Sequence, residues 1–319
     1  MTGDVAARAA ALLRNGQSQQ AMDVLGQAAG QGEAAALEML AEMALTGEFV
    51  HRDLALSRDL YARAADSGSA TAAAVYRAFV ANGTGGPANW KHAMQLLAAA
   101  ADDPEAAADQ AILADMELGP DGGPLNSWQS EQLSASPDVR LVPQIFTPEE
   151  CEFLIARSKP RLQASLVVDP HTGVQVPNPV RTSHSAVYPL MAESPEIHAL
   201  NVRLAAASGT AVAQGEPLQV LRYKPGQEYR PHVDAIADVD NQRILTFLVY
   251  LNEDYAGGET EFLATGLKVK GVKGDGLLFR NADPGGRPDP NAKHAGLPVT
   301  SGEKYLASRW IRARSILLT

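Results

Sequence analysis

The sequence predicts an α+β multidomain chain: an N-terminal solenoid of repeated α-helices, then a β-rich domain of sandwich or jelly-roll type with flanking helices. Three observations predict it. Residues recur at an interval of 36 through the first 120 positions, a glycine, proline and serine stretch follows at 119–137, and short strand-like runs dominate from about 218 onward.

The repeats come first. Ala28, Ala64 and Ala100 share the 36-residue interval, as do Ala36, Ala72 and Ala108, and Gly47, Gly83 and Gly119. Larger residues keep the same phase, in Leu25, Tyr61 and Leu97 and in Leu40, Tyr76 and Ile112. Leu37, Leu40, Ala41 and Ala44 have helical spacing within one unit, and the glycines fall where a helix should stop. Small residues at fixed crossings indicate stacked helical hairpins over residues 1–120. Two readings of this array stay open: a groove for another protein, or packing on the neighbouring domain.

Residues 121–137 are expected to form a linker, and 138–319 a second domain. Val139 to Phe146 reads as a short strand. Thr147, Pro148 and Glu150 then form a helix start, with Thr147 as cap and Glu150 closing a capping box. Cys151, Leu154 and Ile155 continue that helix's apolar face, so Cys151 is a packing residue. The runs LQVLRY, ILTFLVYL, GLLF and KYLASRWI supply later strands.

Composition narrows the function. A formal net charge of −10 argues against a general nucleic-acid or anionic-membrane surface. A lone cysteine cannot form an intramolecular disulfide or a cysteine zinc knuckle. Neither a signal peptide nor an apolar run long enough for a bilayer is read, so the expected location is cytoplasmic.

The chemistry lies in YKPGQEYRPHVD, from Tyr223 to Asp234, with His294 and Lys304. His232 and Asp234 are two residues apart, so on an extended strand they leave one face together. Two imidazoles and one carboxylate on one side of a metal leave other positions open, as in non-haem Fe(II) oxygenases. His51, His92 and His198 lie in helical stretches, and His171 and His184 lie in or beside a polar loop; none is a ligand candidate.

Six motifs in order carry a closer resemblance: RYKPGQEYRPHVD, RILTFLVYLN, GGETEF, KGDGLLF, HAGLPV and GEKYLASRWI. The second half resembles the catalytic domain of the prolyl 4-hydroxylase-like branch of 2-oxoglutarate/Fe(II) oxygenases. The AA-x-x-G endings AAGQG and AADSG make the first half similar to Sel-like repeats, relatives of tetratricopeptide repeats; a third copy, AADDP, departs by ending in proline.

The resemblance implies a double-stranded β-helix, with His232, Asp234 and His294 as iron ligands. It implies that Lys304 binds the far carboxylate of 2-oxoglutarate, aided by Tyr223 and Thr260. Arg243 and Trp310 would lie on the substrate side, and 167–183 would be a substrate lid. Implied cofactors are Fe(II), 2-oxoglutarate and O2, with ascorbate as reductant. The implied partner is a prolyl residue of a peptide or protein, and under the groove reading the repeats would recruit it. Hydroxylation of a free amino acid, motivated by the short Asp234–Arg243 connection, and an inert scaffold are the rival readings. Val272, where the family often has proline, is a minor departure.

Overall fold

A computed structural model describes residues 5–168, 175–177, 180–283 and 285–316. The chain divides into two compact units, one running to Ala111 and including Leu190–His198, the other formed by Ile112–Pro189 and Ala199–Ile316.

The helical unit carries α1 (Val5–Arg14), α2 (Ser18–Gly30), α3 (Ala34–Thr46), α4 (Leu54–Asp66), α5 (Ala70–Asn82), α6 (Trp90–Ala99) and most of α7 (Pro104–Asp115). Its caps repeat with the sequence period. Asp53 and Asn89, 36 apart, accept hydrogen bonds from the third residue of α4 and of α6. Gly47 and Gly83 end α3 and α5 at φ 78° and 80°, a left-handed conformation in which any Cβ is strained. Leu25, Tyr61 and Leu97 are all buried, and Tyr61 meets Phe79 edge to face at 5.6 Å. In the third copy, four residues instead of three separate α6 from α7, and burial passes from the expected Ala108 to Ala106.

The sheet unit continues with β1 (Glu131–Ala135), β2 (Asp138–Val142), α8 (Pro148–Ser158), β3 (Gln163–Ala164), β4 (Leu166–Val168), β5 (Gln175–Pro177) and β6 (His184–Tyr188). Then follow most of α9 (Pro195–Ser208), β7 (Leu218–Tyr223), β8 (Tyr229–His232), β9 (Arg243–Tyr250), β10 (Tyr255–Gly257), β11 (Thr260–Phe262) and β12 (Leu267–Val269). The last strands are β13 (Gly276–Arg280), β14 (His294–Gly296), β15 (Val299–Gly302) and β16 (Lys304–Arg312). Every strand pairing among the described residues is antiparallel. One sheet has the order β1-β2-β13-β9-β16-β7-β6-β3, and a smaller one β12-β11-β14-β8. Their core combines Leu221, Leu248, Leu277 and Leu306 of the large sheet with Phe262 and Val269 of the small one.

The stretch 121–137, expected as a linker, contains strand β1. The strand expected over Val139–Phe146 starts at Asp138 and stops at Val142, before the helix cap. That cap has the expected form: Thr147 Oγ1 accepts from the Glu150 amide at 3.2 Å, and the Glu150 carboxylate accepts from the Thr147 amide at 2.8 Å. Cys151 is fully buried, and burial, with the charge of Glu150, pushes its thiol up to about 12, as a packing residue requires. Part of the expected lid, residues 169–174 and 178–179 with His171, lies outside the described residues; β4 and β5 pair with each other beside it.

Candidate active site

Strand alternation builds one wall of a pocket. Lys304, Leu306, Ser308 and Trp310 occupy every second position of β16, and all four line one cavity. Leu221 and Tyr223 of β7 and Leu248 of β9 extend this wall, while Tyr229, His232, Thr260 and His294 line it from the small sheet. Arg309, one step out of phase, donates instead to the Asn201 carbonyl at 2.8 Å on the opposite face.

His232, Asp234 and His294 come together at one end, each offering a ligand atom within 4.8 Å of the others. His232 and His294 are directly paired in register between β8 and β14. β8 ends at His232, and Asp234 sits in the bend beyond it, so the expected extended His-x-Asp strand is replaced by a strand end and a bend. The His232 Nε2 lies 3.5 Å from one carboxylate oxygen of Asp234, and the His294 Nε2 lies 3.7 Å from the other.

Backbone carbonyls fix both imidazole tautomers. The His232 Nδ1 is 2.8 Å from the Arg230 carbonyl, and the His294 Nδ1 is 2.9 Å from the Ala292 carbonyl. A carbonyl only accepts, so each Nδ1 carries a proton, and in the neutral ring the lone pair is left on Nε2, the atom on the Asp234 side. Burial lowers the His294 pKa, which keeps that imidazole neutral. Burial alone would raise the Asp234 pKa; the positive charge of His294 and His232 when protonated, with hydrogen bonds from His232 and Thr246, outweighs it and holds the carboxyl well below the usual carboxylate range. Neutral nitrogen donors beside an ionised carboxylate are the donor set a divalent first-row metal takes.

The rings are packed as well as bonded. Tyr229 stacks on His232 at 3.4 Å between centroids, and Phe279 meets His294 edge to face at 4.7 Å. Simple alternation would put Tyr229 and His232 on opposite faces. Three residues of β14, from His294 to Gly296, oppose four of β8, from His232 to Tyr229, so an extra residue in β8 restores the shared face. Pro231 is tolerated because β8 is the edge of the small sheet.

At another part of the cavity Lys304 is 3% exposed, and its Nζ donates to the Gly258 carbonyl at 2.7 Å. Burial lowers its pKa to about 8, although Glu259 favours the charge. Gly258 has φ 72°, and a Cβ there would come within 3.2 Å of the Lys304 side chain. Tyr223 is the register partner of Lys304, and burial pushes its phenol up despite a hydrogen bond with Ser183. The Thr260 hydroxyl is buried, 3.4 Å from that of Tyr250. A buried ammonium with several donors, beside a phenol and a hydroxyl, is suited to a carboxylate.

Of the two residues expected on the substrate side, Trp310 lines the cavity and Arg243 does not. Arg243 holds Glu216 with two hydrogen bonds of 2.7 Å and stacks its guanidinium 3.8 Å from the Trp310 ring centroid. Sequence reasoning missed Tyr229, Arg181, Leu221, Leu248, Leu306 and Ser308 as lining residues. The strand phase of Lys304 and Tyr223 was the signal for Leu306, Ser308 and Leu221. Arg181 reaches the site through an isolated bridge to Tyr229, which no local pattern encodes.

Residues 218–312 match the family model described as the 2OG-Fe(II) oxygenase superfamily. The chain is 40% identical over 210 residues to Prolyl 4-hydroxylase 1 of Arabidopsis thaliana, covering 60% of this chain and 74% of that protein. It is 37% identical over 207 residues to Probable prolyl 4-hydroxylase 7 of the same plant, covering 58% and 65%. Among solved structures, the viral collagen prolyl hydroxylase of Paramecium Bursaria Chlorella virus-1, in its 2OG complex, is 30% identical, with 55% of this chain and 96% of that one covered at a TM-score of 0.41.

Proposed function

The chain belongs to the prolyl 4-hydroxylase family of 2-oxoglutarate/Fe(II) oxygenases, and on that premise we propose a residue-by-residue reading of its site. The enzyme is a 2-oxoglutarate- and Fe(II)-dependent dioxygenase that hydroxylates a prolyl residue. His232, Asp234 and His294 hold the ferrous ion. Lys304 holds the far carboxylate of 2-oxoglutarate, with Tyr223 and Thr260 completing its surroundings. The single observation that carries this is that the Arg230 and Ala292 carbonyls each engage a histidine Nδ1, which leaves both Nε2 atoms facing Asp234.

When bound, Fe(II) with 2-oxoglutarate and O2 supplies the oxidation that puts one oxygen atom into an unactivated C–H bond and the other into succinate, with release of CO2. The chain's own residues do the rest. Leu221, Leu248 and Leu306 exclude water between the metal end and Lys304. Trp310 offers a flat wall to the substrate. Arg243, clamped by Glu216, acts on the substrate side by holding that indole in place.

In the same reading the two sheets form a double-stranded β-helix and the first half is a short Sel-like solenoid. The first is supported by the core shared between the sheets, the second by caps that recur every 36 residues. The substrate is a peptide or protein, and the repeats recruit it. Purified full-length protein with Fe(II), 2-oxoglutarate, ascorbate and a proline-rich peptide is expected to add one oxygen atom per peptide with equimolar succinate. Free proline in place of the peptide is expected to give none. No oxygen gain above a His232→Ala control would overturn the assignment.

A further inference from the structure

Behind Asp234 lies a chain of buried polar groups that none of the assigned roles uses. Thr246 sits in the middle of β9, paired with Phe279 on one side and Trp310 on the other, so its backbone is held by both neighbouring strands. Its hydroxyl lies 2.6 Å from the Asp234 carboxylate oxygen that faces His294. Asn281 follows the end of β13, and its backbone amide donates to the Ile244 carbonyl at 2.8 Å while its carbonyl accepts from the Asp289 amide at 2.8 Å. Its side-chain amide donates to the Thr246 hydroxyl oxygen at 2.7 Å.

We propose that Asn281 and Thr246 form a proton-orienting relay that presents Asp234 to the metal through a single carboxylate oxygen. The proposal rests on the reading of Asp234 as a metal ligand. A threonine hydroxyl has one proton, which can go to Asn281 or to Asp234 but not both. Because Asn281 donates to Oγ1, that proton is committed to Asp234. With Asn281 rotated the other way, Oγ1 would donate to it and then meet a carboxylate oxygen at 2.6 Å with no proton between them. Thr246 and Asn281 are each 1% exposed, so solvent does not replace a missing partner.

Asn281 pays for this role: its Oδ1 is buried without a hydrogen-bond partner among the described residues. An apolar side chain would fill the space without that cost, so the orphaned oxygen marks a position kept for its donor. The bonded oxygen of Asp234 is occupied by the Thr246 proton. The other, 3.5 Å from the His232 Nε2, keeps its lone pairs for the metal. Thr246 and Asn281 are positioning residues; neither lines the cavity.

Full-length apoproteins carrying Thr246→Val, Thr246→Ser, Asn281→Asp and Asp234→Ala would be titrated with Co(II) by calorimetry. The visible Co(II) spectrum would report coordination, and circular dichroism and thermal melts would check folding. Thr246→Val removes the proton at nearly constant shape, and Asn281→Asp turns the donor into an acceptor that competes for it. Each is expected to weaken Co(II) binding by about 10- to 100-fold and alter the spectrum, while Thr246→Ser stays within about threefold. Should Asn281→Asp fail to fold, Thr246→Val decides alone. Val and Asp variants that fold normally and bind Co(II) like the unmodified protein overturn the relay, provided Asp234→Ala loses binding. If Asp234→Ala also binds normally, the ligand assignment itself falls, and the relay with it.

Discussion

The two units bury polar side chains for opposite ends. In the helical unit the buried Ser57 hydroxyl donates to the Ala41 carbonyl at 2.8 Å, and that of Thr84 to Asn82 at 2.7 Å, so each is consumed in joining turns and helices. In the sheet unit, the Nε2 lone pairs of two histidines, a carboxylate of Asp234 and an ammonium of Lys304 are turned into one cavity with bonding capacity left over. Burial of a polar group therefore does not mark a site. Unspent valence converging on a shared space does.

The contrast can be broken most forcefully at the metal end. Asp234→Ala is expected to lower kcat/KM by more than about 100-fold in succinate release, with the fold intact by circular dichroism. A variant that turns over normally would mean that the convergent groups are as structural as Ser57.

Lys304→Met is expected to raise the KM for 2-oxoglutarate by about 10- to 100-fold, the worth of a charged hydrogen bond, with a smaller effect on peptide KM. The same lysine gives a pH signature. Its pKa in the folded protein is lowered to about 8 from 10.5, so the free enzyme loses the ammonium as pH rises through about 8. The kcat/KM for 2-oxoglutarate should fall across that range, and Lys304→Met should flatten the fall. The stability effect has the opposite sense: between about 8 and 10.5 the unfolded chain holds the extra proton, so apoprotein stability from this group rises with pH.

In the helical unit the expectation reverses. Phe79→Ala removes a fully buried ring packed against Tyr61, and should cost about 3–5 kcal/mol in that unit's unfolding. Turnover of a short peptide should stay within about twofold of the parent, since no pocket group is touched. The smallest effect sharpens the repeat. Ser69 caps α5 through its side chain, whereas Glu33, 36 residues earlier, makes no side-chain cap on α3. Ser69→Ala should cost about 1 kcal/mol and Glu33→Ala less than about 0.5 kcal/mol, read by chemical denaturation.

Legibility in the sequence followed the same divide. The helices were readable because every structural demand is stated again 36 residues later, at Leu25, Tyr61 and Leu97. The phase failed where proline lengthened the third turn and moved burial from Ala108 to Ala106. In the sheet unit, His232, Asp234, His294 and Lys304 were legible through ordered motifs, and the structure places all four around one cavity. Tyr229 was hidden by a bulge that changes strand phase, and Arg181 by a bridge between distant segments. Asn281 could not be found at all: its partner Thr246 is 35 positions away, joined only by strand pairing. Strand β1 was masked by its glycine-, proline- and serine-rich surroundings, where pairing with β2 overrides local composition.

The central claim is a place, and diffraction at the iron edge tests it most directly. Crystals grown anaerobically with Fe(II) and 2-oxoglutarate should show one strong anomalous peak bounded by the Nε2 atoms of His232 and His294 and a carboxylate oxygen of Asp234. An ordered dicarboxylate should run from that peak to the Lys304 ammonium. A peak elsewhere, or the dicarboxylate bound away from Lys304, would contradict the account.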